Sequence, residues 1–127
     1  MTSTTVAIIV LCSTTWYGDK LAGQITASGS PYDPENFTCA TYLYPLHTEL
    51  IVKYGDKEVR VINTDRCDSK PDLDLSRRAF SHIEDLAIGR IKAEVIFDIG
   101  IQSQSWLDTN GEAYELTERD YSASFTR

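Results

Sequence analysis

Apolar and polar residues alternate along several short stretches of this chain, and each alternation predicts a strand. Glu49 to Tyr54 alternates, Gly55-Asp56-Lys57 reads as a turn, and Glu58 to Asn63 resumes the pattern, so the pair predicts a β-hairpin with apolar residues on one face. Arg90 to Ile99 is a further strand, with Ile91, Ala93, Val95 and Phe97 set against Lys92, Glu94, Ile96 and Asp98. The β-branched run Val6 to Leu11 predicts a buried strand near the amino terminus. The period changes once: Ala79, Phe80, Ile83 and Leu86 recur at helical spacing, Ser76 stands where a cap belongs, and Gly89 ends the helix. Gly18 to Phe37 is rich in Gly, Pro, Ser and Asp and reads as loop with one short strand. From Gln102 the chain is polar, and Asp108-Thr109-Asn110-Gly111 reads as a hairpin turn. Short strands with one inserted helix predict a mainly β fold, a small barrel.

Length and composition narrow the picture. The chain has 127 residues, enough for one domain spanning 1–127. Hydrophobic residues make up 42% and charged residues 24%, which excludes disorder as the whole answer. Twelve Lys and Arg against 19 Asp and Glu give a net charge of −7, which argues against nucleic acid as a partner. The longest apolar run, Val6 to Cys12, is too short to span a bilayer. Met1 to Thr5 holds no Lys or Arg, so a signal peptide is not expected and nothing is expected to be cleaved at Met1.

Cys12, Cys39 and Cys67 form no C-x-x-C pair, and a disulfide and buried free thiols both fit the odd count. His47 and His82 stand alone, neither in a nucleophile context. No zinc ligand spacing and no Gly-rich phosphate loop occurs, so neither a metal nor a cofactor is expected.

The densest polar stretch, Asn63 to Ser76, carries Asp65, Asp68, Asp72 and Asp74. On a strand, Asp72, Asp74 and Ser76 would share one face, opposite Leu73 and Leu75. An aspartate between two leucines is desolvated, which raises its pKa toward the range a general acid needs. A loop from Arg66 to Pro71 could bring Asp65 back toward Asp74, and paired carboxylates in different environments suit glycosidic cleavage. The alternative is structural: solvated turns, a helix cap, or pairing of Arg66 or Lys70 with Asp68 or Asp72. The spacing lacks the pattern of a calcium loop. Trp16, Tyr17, Tyr32, Tyr42, Tyr44 and Tyr54 gather in the first half of the chain, where they could face sugar rings or pack within a barrel.

The order of short motifs carries a resemblance. Thr15-Trp16-Tyr17-Gly18 is followed by Thr26-Ala27-Ser28-Gly29, Tyr32-Asp33, Thr38-Cys39-Ala40 and Tyr44-Pro45-Leu46. Asn63-Thr64-Asp65-Arg66 and Leu73-Asp74-Leu75-Ser76-Arg77-Arg78-Ala79-Phe80 complete the series. It resembles the rare lipoprotein A family of double-psi β-barrels, which includes septal lytic transglycosylases, and the first domain of expansins. The match covers about 14–99, with 1–13 as an extra strand and 100–127 as a tail or hairpin.

The resemblance implies a six-stranded double-psi β-barrel with one short helix and an open polysaccharide groove. It implies Asp74 as catalytic acid and Asp65 as the second groove aspartate. Thr15, Trp16, Tyr17, Tyr32 and Asp33 would contact substrate. Peptidoglycan or a related polysaccharide would be the partner, and action would be at the cell wall or outside the cell. Three positions depart from the family pattern: Ser30 replaces a Glu, Thr41 replaces a His, and Asp65-Arg66-Cys67-Asp68 replaces an Asp-Arg-Gly-Pro turn. Two further readings therefore stay open, an expansin-like glycan-binding module without cleavage, and a bacteriophage tail component whose barrel contacts the wall beside other virion proteins.

Overall fold

A computed structural model describes residues 7–67 and 71–98. Asp68, Lys70, Val6, the turn at 108–111 and the whole segment 99–127 lie outside the described residues. The elements in chain order are β1 (Ala7–Trp16), β2 (Thr38–Thr41), β3 (Glu49–Tyr54), β4 (Lys57–Asp65), β5 (Leu73–Leu75), α1 (Arg77–Ser81) and β6 (Arg90–Asp98). The six strands close into a barrel in the order β1-β5-β2-β4-β3-β6. Two contacts are parallel, β1 with β5 and β2 with β4, and the others are antiparallel. The fold is thus mainly β, a closed six-stranded barrel with one short helix, as expected.

Strand alternation builds the core. Leu50, Val52, Val59, Val61, Ile91, Ala93 and Val95 point inward from the hairpin and β6, and Leu73 and Leu75 join them from β5. The hairpin forms as expected, but Lys57 lies opposite Tyr54 as part of β4 and not of the turn, and the two-residue turn relies on Gly55 at φ 63°, a left-handed conformation glycine adopts without strain. Asn63 is fully buried and its side-chain amide donates to the carbonyls of Tyr44 (2.9 Å) and Pro45 (3.2 Å), which fixes the crossing from β2 to β3.

Four expectations differ from the structure. The amino-terminal strand is neither buried nor an addition to the barrel: Ala7 to Leu11 are exposed, and β1 extends to Trp16 as one of the six staves. The helix predicted from Ser76 to Gly89 stops after Ser81 and resumes only as a 3₁₀ turn over Leu86–Ile88. Asp85, extended at ψ 133°, accepts from the Ala87 N–H and caps that turn afresh, so the apolar face is delivered by two short pieces. Within 18–37 there is no strand but a single bridge between Ile25 and Pro31. Finally β2, the stave between β5 and β4, arises from Thr38-Cys39-Ala40-Thr41, a segment too short to show a period. Among the described residues no helix is long and apolar enough to cross a membrane.

Candidate active site

Parallel pairing of β1 and β5 sets Thr15 opposite Asp74. Leu73 and Leu75 are sunk in the core at 1% and 0% exposure, so the alternation turns Asp74 to the other side of the strand. The Thr15 hydroxyl donates to Asp74 Oδ1 at 2.8 Å. Across the cleft, Asp65 ends β4, and its Oδ1 accepts from the backbone N–H groups of Ala27 (3.1 Å) and Arg66 (2.9 Å). Tyr17, Leu21, Ala40, Asp65, Arg66, Cys67 and Asp74 line a cleft of about 210 Å³.

The electrostatics single out one group. Burial pushes the Asp74 carboxyl up from 3.8 to about 6. The Thr15 hydrogen bond and the Arg90 guanidinium favour the carboxylate and pull the value back, while the negative charge of Asp65 adds to the rise. Asp74 is therefore an acid that holds its proton nearer neutrality than an exposed aspartate does, beside a second carboxylate. That combination can deliver a proton to a leaving oxygen and take one back.

The other candidate residues are distributed differently. Tyr17 lines the cleft, and its ring lies 4.2 Å from that of Tyr32. Burial drives the Tyr17 phenol far above its ordinary value, so it serves as a neutral wall of the cleft. Tyr32 is 4% exposed and stands behind Tyr17, its hydroxyl accepting from the Arg77 N–H at 3.3 Å and donating to the Tyr17 carbonyl at 3.4 Å. Trp16 points away from Asp74: its indole N–H donates to the Leu86 carbonyl at 3.1 Å and its ring packs on the core. Asp33 is exposed and shapes its own turn, accepting from the Glu35 N–H at 2.9 Å. The structure thus gathers Asp74, Asp65, Thr15 and Tyr17, and gives Trp16, Tyr32 and Asp33 supporting positions.

The shared polar face expected for Asp72, Asp74 and Ser76 does not form, because β5 ends at Leu75. Ser76 is buried and caps α1, accepting from the Ala79 N–H at 3.2 Å. Asp72 accepts from the Ser13 N–H (3.0 Å) and from the Tyr42 hydroxyl (2.9 Å). The remaining aromatics pack: Tyr44 stacks on Phe97 at 5.7 Å, and Tyr54 lies against the core.

Cys12, Cys39 and Cys67 are free thiols, and burial, with help from Asp72, raises Cys12 to about 11. Among the described residues no three His, Cys, Asp or Glu side chains converge on a metal position. Nothing in the local sequence marks Leu21 or Arg90 as neighbours of the cleft. Arg90 could have been found only through the antiparallel pairing that sets it opposite Thr15.

Comparison with known proteins agrees with the barrel fold. The lytic transglycolase family matches residues 10–95. An uncharacterized protein of Synechocystis sp., ssl3177, is 33% identical over 85 residues, which is 65% of this chain and 92% of that protein. Among solved structures, the Streptomyces papain inhibitor superposes with a TM-score of 0.59 at 23% identity, covering 72% of this chain and 94% of its own. An Asp-to-Asn mutant of Clavibacter michiganensis expansin in complex with cellohexaose gives 0.58 at 18% identity, and the apo expansin gives 0.58 at 20%. Each expansin comparison covers 72% of this chain but only 50% of the expansin. With its closed barrel and the match over most of its length, the chain belongs to the lytic transglycolase family of double-psi β-barrels.

Proposed function

We propose that the cleft between Asp65 and Asp74 binds a cell-wall glycan strand, peptidoglycan first among them, and cleaves it as a lytic transglycosylase does. Asp74, protonated, donates to the glycosidic oxygen as the bond from the anomeric carbon to that oxygen breaks. Asp65 stabilises the positive charge that develops on the sugar. The carboxylate left on Asp74 then takes the proton of a substrate hydroxyl, whose oxygen closes on the anomeric carbon and leaves an anhydro end. Because the substrate supplies the nucleophile, one acid–base group suffices and no water need be activated. The observation that carries this reading is the Asp74 carboxyl, raised to about 6, bonded to Thr15 and facing the cleft it shares with Asp65. The cellohexaose bound to the expansin mutant supports a polysaccharide occupant. Such a role places the protein at the cell wall.

A second reading, glycan binding without cleavage, is favoured by two positions. Ser30 is engaged in a knot of hydroxyls, 2.8 Å from Ser28 Oγ, with Ser28 Oγ 2.8 Å from Thr26 Oγ1. Thr41 is fully buried and donates to the Asp72 carbonyl at 2.8 Å. Neither presents the ionisable group that the family pattern has there.

Mass spectrometry of soluble products from purified peptidoglycan separates the two readings. Anhydro-muropeptides released by the wild type and absent with Asp74→Asn establish the proposed reaction. Equal release by that variant removes Asp74 from the mechanism, and retention on the insoluble wall with no product from either protein establishes binding alone.

A further inference from the structure

The outer face of β1, β6 and β3 carries an apolar row without a partner among the described residues. Cys12 and Thr14 point inward from β1, so Ile9 and Leu11 point outward, at 60% and 57% exposure. Ile9 pairs with Ile96 on β6, and Ile96 pairs with Ile51 on β3, which extends the row across three strands. Leu11 continues it into a shallow hollow of about 340 Å³ whose walls include Lys53, Tyr54, Lys92 and Glu94. A contiguous exposed apolar row of this kind marks an interaction surface.

Three observations point to its occupant. The hollow sets Lys53 and Lys92, with one acid, Glu94, beside Leu11 and Tyr54, a net positive rim that fits an acidic segment carrying large apolar side chains. The chain itself has one: Trp106-Leu107-Asp108 and Glu112-Ala113-Tyr114-Glu115-Leu116 are followed by Glu118 and Asp120, with Arg119 the lone base between 106 and 120. The segment also starts in the right place. β6 ends at Asp98 opposite Ala7, at the edge of the row. Lys92 lies six positions back along β6, about 20 Å at the rise of a strand. Trp106 is eight positions past Asp98, within an extended reach of about 26 Å.

We propose that the acidic, aromatic segment 106–120 docks on the outer face of β1, β6 and β3 of its own chain, over Ile9 and Leu11 and between Lys53 and Lys92. Tethering makes the docking intramolecular, so modest contacts suffice.

Carbodiimide coupling of the full-length chain at low concentration tests this, because it joins amines to carboxylates in contact. The expected result is a monomer in which Lys53 or Lys92 is linked to a carboxylate between Asp108 and Asp120, with Lys20 unlinked. Leu11→Ser, which keeps both lysines, is expected to abolish the link without lowering the thermal midpoint of the barrel. Absence of the link in the monomer overturns the proposal. So does equal linkage to Lys20, linkage confined to dimers, or a link that survives both Leu11→Ser and Ile9→Asp unchanged.

Discussion

Thr15 Oγ1 donates to Asp74 Oδ1 at 2.8 Å, across two parallel strands that hold the two residues in register. The bond opposes the burial that raises the Asp74 pKa, so this one hydroxyl helps set the acidity of the group that faces the cleft. Removing it with Thr15→Val is expected to raise the Asp74 pKa further, by about half to one unit. Asp65→Asn is expected to lower it, since the negative charge of Asp65 works against ionisation of Asp74. A carbon-detected NMR titration of the Asp74 carboxyl reads both shifts, and equal shifts of one sign would contradict the arrangement.

The same raised value has a consequence for stability. A carboxyl with a higher pKa in the folded than in the unfolded chain binds more protons when folded between the two values, about 4 and 6. Its contribution therefore falls as pH rises through that window and stays at its lowest above it. Asp74→Asn, which cannot ionise, is expected to be more stable than the wild type at about pH 8, by on the order of 2 kcal/mol. The gap is expected to close below about pH 4, where Asp74 is protonated in both states. Urea unfolding at the two pH values measures it. A variant that gains stability while losing activity would mark Asp74 as a functional and not a structural carboxyl.

Asp72 extends the β1–β5 pairing by one side-chain contact, accepting from the Ser13 N–H at 3.0 Å and the Tyr42 hydroxyl at 2.9 Å. Asp72→Ala leaves both donors unmatched and is expected to cost about 1–3 kcal/mol. Tyr42→Phe removes a single bond and is expected to cost less than Asp72→Ala. Denaturant midpoints of the two variants give the comparison.

Ser76 joins three segments. Its hydroxyl donates to the Asn36 carbonyl at 2.6 Å, and the same oxygen caps α1 by accepting from the Ala79 N–H at 3.2 Å. Ser76→Ala is expected to destabilise the protein by about 1–3 kcal/mol, more than an exposed cap would, because the site is fully buried. Thermal unfolding checks the size, and Ser76→Gly is expected to be no better, since it restores neither bond.

Much of the fold is legible in the chain because its period is local. The hairpin of β3 and β4 and the strand β6 follow from two-residue alternation, and Ser76 is recognisable as a cap from the apolar pattern that follows it. Local pattern fails where short elements are held by distant partners. β2 has only four residues and exists because β4 and β5 flank it. The long helical period over Ala79 to Leu86 is real as a buried face, yet Asp85 offers its side chain to the backbone and divides it.

The candidate site shows the same division. The sequence alone determined that Asp74, between two leucines, would be desolvated, and the family resemblance implied Asp65 and Thr15 beside it. It also determined a mainly β fold with one short helix. Only the tertiary structure decided which polar neighbours share the cleft. The end of β5 at Leu75 sends Ser76 into the interior, and Asp72 is taken up by Ser13 and Tyr42. The facing of Trp16 toward Leu86, the placing of Tyr32 behind Tyr17, and the charge of Arg90 on Asp74 are likewise products of barrel closure. The reason is physical: desolvation between two leucines is a property of neighbours in sequence, whereas which charges and hydroxyls meet depends on strand register, fixed only when strands far apart in the chain pair.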